Sequence, residues 1–189
     1  MGMDAFGHTR MSEERTSLDE RQTTHIDRLM RYLRTSLVKY RDVRAAEAAG
    51  YVPEGKDVPV GALKHFVNAG NLPANARHLD PDKPMALLYR RTSTGFELAG
   101  VMFSAPISAS MDNLDRRIPL VFGHWHSHRN ICQPHPDRPL TREESREFGF
   151  SGSINTRAAC EAAGGFFFDN VFGWMVHVYP FERDVAKQF

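Results

Sequence analysis

The spacing of apolar residues changes along this chain, and the change constrains the fold class. Apolar side chains recur at three- and four-residue intervals from Ile26 to Ala49, which is the spacing of one helix face. After residue 85, short apolar runs separated by turn residues are typical of strands, and residues 92–95 resemble a hairpin loop. The predicted strands are residues 86–91, 96–104, 118–128 and 171–179.

These elements predict an α+β fold, in which a long N-terminal helix packs on an antiparallel sheet of four or more strands. The helix is expected to begin near Thr23 or Thr24, either of which can cap it, and to end at Gly50. Residues 1–22 have no apolar periodicity and are predicted to be a disordered polar tail. Residues 23–189 then form one α+β domain.

The charge balance of the chain argues against a nucleic-acid partner. Lys and Arg total 24 and Asp and Glu total 23, so little positive charge is left to neutralise a phosphate backbone. No apolar run is long enough for a membrane span, and residues 1–20 lack the apolar segment of a signal peptide. We therefore expect a soluble protein, with the cytoplasm favoured over the periplasm or secretion.

Three histidines alternate with other residues in the third predicted strand. Because alternate side chains of a strand share one face, His124, His126 and His128 would lie together. Neighbours on one face stand roughly 7 Å apart, and two imidazoles at that spacing can converge on one metal ion. The outer pair, roughly 13 Å apart, is harder to include, so we expect two of the three to bind together.

Further ligands must then come from other parts of the chain. His177 lies in the last predicted strand, His65 lies in an irregular segment, and Cys132 follows the histidine cluster. Imidazole suits Zn, Cu, Fe and Ni, and a thiolate shifts the preference towards Cu or Zn. The sequence thus predicts a transition-metal site, with Zn or Cu favoured over Fe. Its candidate ligands are His126, His128, His177, His124, His65 and Cys132.

Three functions are compatible with this pattern. The first is a metal-binding protein, and the second is a hydrolytic or redox metalloenzyme that keeps an open position for water or a small molecule. No Asp or Glu adjoins the histidines as an obvious general base, which favours binding over catalysis. The third is a structural or interaction module without metal, with a pH-sensitive histidine cluster. Its long helix would form a homodimer through Leu33 and Leu37.

The chain has two cysteines, Cys132 and Cys160, and their role depends on the compartment. In an oxidising compartment we expect a disulfide that pins the Pro-rich segment between them. In the cytosol the thiols stay reduced, and Cys132 becomes a soft metal ligand.

Several segments together resemble a group of bacterial hypothetical proteins of unknown function. They are residues 40–51, 65–68, 79–89, 126–132 and 160–178, which include a His-x-His-x-Asn-x-Cys stretch and a C-terminal GWMVHV strand. The first motif corresponds to His126, His128, Asn130 and Cys132, and it leaves His124 outside. The resemblance implies no activity. Many members of the group look secreted, which would imply an oxidising compartment for this chain.

Overall fold

A computed structural model describes residues 7–55, 57–183 and 187–188 of the chain. Its strands are β1 (Thr9–Met11), β2 (Val52–Pro53), β3 (Leu63–Val67), β4 (Ala86–Arg91), β5 (Phe96–Ala105), β6 (His126–Pro134) and β7 (Gly165–Val178). Its α-helices are α1 (Glu20–Ser36), α2 (Val43–Ala48), α3 (Leu72–Arg77), α4 (Met111–Arg117) and α5 (Arg157–Ala162). Short 3-10 helices span Val38–Arg41, Ala69–Asn71 and Glu144–Arg146.

The strands form one seven-stranded sheet in the order β1-β6-β7-β5-β4-β3-β2. Every neighbouring pair is antiparallel. The α+β class and the antiparallel sheet predicted from the sequence are therefore confirmed. The central position of β7 between β6 and β5 matters for the site, because it joins two segments that are far apart in the sequence.

One face of the sheet is covered by α1 and forms the main hydrophobic core. The buried side of the helix, which includes Leu33, packs in one cluster with Phe103 of β5 and Val176 of β7. Leu33 and Leu37 are 0% and 1% exposed, so they stabilise the fold of a single chain. The expected use of these two leucines in a homodimer is wrong, because their side chains have no surface left to offer a second chain.

The N-terminal helix is shorter than its apolar stripe predicts. The side chain of Asp19 accepts a hydrogen bond from the Gln22 backbone and begins the helix before Thr23. The helix ends at Ser36, and Asp42 then caps α2 as a separate helix. The apolar spacing continues to Ala49 because α2 also buries a residue, Ala46, in the same core. Among the described residues, no helix is long and apolar enough to cross a membrane.

The predicted disordered tail, residues 1–22, contains two ordered elements in the structure. Strand β1 pairs with β6, with Thr9 opposite His128 and Met11 opposite His126. The first turn of α1 also lies within the predicted tail. Backbone pairing stabilises β1 although its sequence has no apolar periodicity, and residues 1–6 lie outside the described part of the chain.

The third predicted strand begins later than expected, at His126. Residues 118–125 instead follow α4 through a turn in which the Phe122 N–H donates to the Pro119 carbonyl. Proline has no N–H to give to a strand ladder, so a strand through this position is disfavoured. Trp125 closes the turn, because its buried indole N–H donates to the Ile118 carbonyl at 3.2 Å.

Candidate metal centre

Four histidines gather on the sheet face opposite α1, which we call the histidine face and define by His65, His126, His128 and His177. His126 of β6 pairs with Met175 of β7, and His177 of β7 pairs with Met102 of β5. Paired residues of an antiparallel sheet point to the same side. The residues between them in β7, such as Val176, point into the core beneath α1.

The four rings form a continuous row. The Nε2 atoms of His65 and His177 are 3.3 Å apart, within reach of a hydrogen bond in which one ring donates to the other. The ring centres of His177 and His126 are 5.2 Å apart, and those of His126 and His128 are 5.3 Å apart. All four rings are half-buried, so the row is both desolvated and accessible from solvent.

The His65–His177 contact spans the sheet. His65 lies on β3 and His177 on β7, with β4 and β5 between them in the strand order. In a sheet, strands that are three places apart are separated by about 14 Å, so both rings must extend towards each other over the intervening strands. The sequence places these residues 112 positions apart, and only the sheet order brings them together.

At the other end of the row, His128 contacts an aromatic side chain from a loop. A register shift between His126 and His128 places His128 opposite Val171. The ring centre of Phe150 lies 4.8 Å from that of His128. Phe150 therefore lies at the border of the site, next to His128.

His124 lies outside the row, but its backbone acts on His126. Its side chain is exposed, and the residue precedes β6 instead of lying in a strand with the other two. The prediction that all three alternating histidines share a strand face is therefore wrong at this end. The Nδ1–H of His126 donates to the His124 carbonyl oxygen at 3.2 Å. This bond fixes the tautomer and leaves the Nε2 lone pair of His126 available, as in metal-ligating histidines.

Cys132 does not belong to the site. Its sulfur is bonded to that of Cys160, so the predicted thiolate ligand is wrong and the disulfide expected in an oxidising compartment is present. The bridge lies in a separate apolar cluster with Phe148 and Phe167. Cys132 is in the same strand as His126 and His128, but it is too far along the strand to join their side chains.

Three imidazoles of the site, those of His65, His126 and His177, have lowered pKa values that favour the neutral form. Burial, and then the neighbouring rings of His126, His65 and His128, lower the pKa of His177 to about 3. Burial also lowers the pKa of His126. The pKa of His65 is lowered by burial and further by the nearby His126 and Lys64. Neutral imidazole is the form that ligates metals, so these rings need lose no proton to bind an ion at neutral pH.

The spacing of neighbouring rings matches tetrahedral coordination, although the four rings are not closed around one point. Two imidazoles bound to one tetrahedral ion at about 2.05 Å have nitrogens about 3.3 Å apart and ring centres about 5.2 Å apart. The His65–His177 nitrogens and the three neighbouring ring pairs have these separations. In the described part of the chain, however, no three or more His, Cys, Asp or Glu side chains are arranged to hold an ion together. Binding of one ion therefore needs side-chain rotations that bring the ring nitrogens around a single point.

The histidine face also carries methionines, which the sequence reasoning missed. Met11 and Met175 flank His126 on β1 and β7, and Met102 stands beside His177 on β5. The alternation of residues in a strand could have indicated Met175, because it lies two residues before His177 in a predicted strand. The positions of Met11 and Met102 depend on strand pairing, which the sequence does not give.

The chain matches no protein-family profile, no curated protein and no solved structure.

Proposed function

We propose that this protein binds one transition-metal ion on the histidine face, through His65, His126 and His177. The observation that carries this proposal is the meeting of three imidazoles from β3, β6 and β7, with His177 in contact with both of the others. His128 is the neighbouring ring that could replace or join them. The ion is Zn or Cu in preference to Fe, because neutral imidazole suits all three but Fe centres commonly add carboxylates.

Two further features support binding over simple packing. The His124 carbonyl orients His126 with its Nε2 unprotonated. The half-buried row is open to solvent, so an ion can reach it without unfolding of the core.

The alternative is a cluster without metal, in which the His65–His177 pair is only a neutral hydrogen bond. This alternative predicts that each histidine contributes to stability independently and that none affects metal content. Metal binding predicts the opposite, because an ion needs all of its ligands together and the effects of losing them are not additive.

The test is metal analysis of protein purified without a histidine tag, alone and after dialysis against Zn(II) or Cu(II). We expect about one ion per chain in the wild type. His126→Ala and His177→Ala should each remove most of the bound metal, and the double variant should lose little more. His78→Ala is the matched control, since His78 is an exposed histidine at the end of α3 and should leave the metal content unchanged.

Two results would overturn the proposal. One is a wild-type metal content near zero after addition of both metals. The other is a His177→Ala variant that is folded by circular dichroism and still binds metal like the wild type.

We further infer that the protein works in an oxidising compartment. The Cys132–Cys160 disulfide supports this, because such bonds persist outside the cytosol and are rare within it. The resemblance to a bacterial group of which many members look secreted points the same way, whereas the N-terminal sequence alone favours the cytoplasm.

A further inference from the structure

Thioether sulfurs stand directly beside two of the proposed ligands. Across the first three strands of the sheet, Met11, His126 and Met175 form one cross-strand row on the histidine face. In the next row, His177 is paired with Met102. Residues directly opposite in antiparallel strands have Cβ atoms about 4.5–5.5 Å apart, so each sulfur lies within side-chain reach of its partner ring.

We propose that the site is selective for cuprous copper, with the sulfurs of Met11 and Met175 joining His126 and His177 as ligands. The proposal rests on the function proposed above and names the metal that the same site prefers. Met102, beside His177, is the next available sulfur.

The chemistry of the ligands favours this metal. Thioether sulfur is a soft ligand that binds Cu(I), whereas Zn(II) sites use thiolate, imidazole and carboxylate. Methionine has three rotatable bonds, so the sulfur can move towards an ion without movement of the strand.

Packing alone is the competing explanation, because Met175 and Met102 belong to a buried apolar cluster with Met85, Val67 and Leu88. Packing does not explain Met11, which is half-buried on the edge strand β1. Packing also treats Met175 and Met85 alike, because both belong to this cluster, so Met85 can serve as the control residue. Both are buried, at 3% and 1% exposure, but Met85 precedes β4 and is paired with no histidine.

The experiment measures Cu(I) affinity by anaerobic competition with the chromophoric chelator bicinchoninate, and Zn(II) affinity by titration in parallel. Leucine replaces methionine with little change in volume, so packing is largely preserved. Met11→Leu and Met175→Leu should each weaken Cu(I) binding by about tenfold or more and leave Zn(II) binding within about twofold. Met85→Leu should leave both affinities unchanged.

The outcomes separate this inference from the proposed function. Unchanged Cu(I) affinity in both methionine variants, or an equal loss in Met85→Leu, would overturn copper selectivity. If His177→Ala still lost metal in the same assays, the metal site itself would stand. A His177→Ala variant that kept wild-type affinity for both ions would overturn the two proposals together.

Discussion

The Nε2 atoms of His65 and His177 lie 3.3 Å apart, although the two residues are on strands separated by two others in the sheet. The contact joins β3, which lies next to the edge strand β2, to β7 in the interior of the sheet. A metal ion in this position would be a cross-link between β3 and β7, so its binding should be visible in the stability of the whole sheet.

Metal should therefore stabilise the wild type and fail to stabilise a variant that lacks His65. A ligand that binds only the folded state at about 100 times its dissociation constant adds about 2.7 kcal/mol to the free energy of unfolding. We expect His65→Ala to lose most of this gain when denaturant unfolding is measured with and without metal. The His78→Ala control should keep it, and an equal gain in His65→Ala would exclude His65 as a ligand.

The metal-free protein should lose stability in acid because of His177. In the folded protein its pKa is lowered to about 3, whereas the unfolded imidazole takes up a proton near pH 6.5. Between these values the unfolded chain binds more protons, so the free energy of unfolding falls as the pH falls. The lowered pKa values of His65 and His126 act in the same direction.

Denaturant unfolding from pH 7 to pH 4 in the presence of a chelator measures this effect. His177→Ala should flatten the slope between about pH 6.5 and pH 4, where carboxylates contribute less. A slope that is the same in the wild type and in His177→Ala would show that the ring is not held neutral in the fold.

The disulfide should stabilise the fold without affecting the metal site. Cys132 and Cys160 are 28 residues apart, and closing a loop of this size contributes about 3.5 kcal/mol in the chain-entropy model. Replacing both cysteines by Ala should lower the free energy of unfolding by an amount of this order and leave metal affinity unchanged. Thiol titration of the denatured, unreduced wild type should find no free thiol, and two free thiols would contradict the bridge.

The sequence predicts which histidines belong to the candidate site better than it predicts how their side chains are arranged. Alternation within one strand selected His126 and His128, and residue type alone selected His65 and His177, because no local pattern links them. Their contact depends on β7 entering the sheet between β6 and β5. That order is set by pairing between distant segments, which local periodicity does not encode.

The errors in the sequence prediction also have physical causes. His124 matches the alternation of His126, but Pro119 and the turn after it keep the chain out of the sheet until His126. Residues 9–11 are polar or mixed, yet they form a strand because β6 offers them backbone partners. Periodicity detects burial of side chains, and it does not detect an edge strand held by its backbone.

His8 holds the edge strand β1 against the rest of the protein through its side chain. Its side chain is fully buried, with Nε2 2.7 Å from the Gly152 carbonyl oxygen and Nδ1 3.2 Å from that of Arg129. His8→Ala should lower the free energy of unfolding by about 1–3 kcal/mol, because the buried Gly152 carbonyl loses its hydrogen-bond partner. His25→Ala is the matched control: this exposed ring also bonds one carbonyl, that of Arg117, and its loss should cost about 0.5 kcal/mol or less. Hydrogen exchange at the Arg129 amide, which donates to the His8 carbonyl, should rise in His8→Ala as β1 detaches. Unchanged exchange there would mean that backbone pairing with β6 holds β1 without the ring.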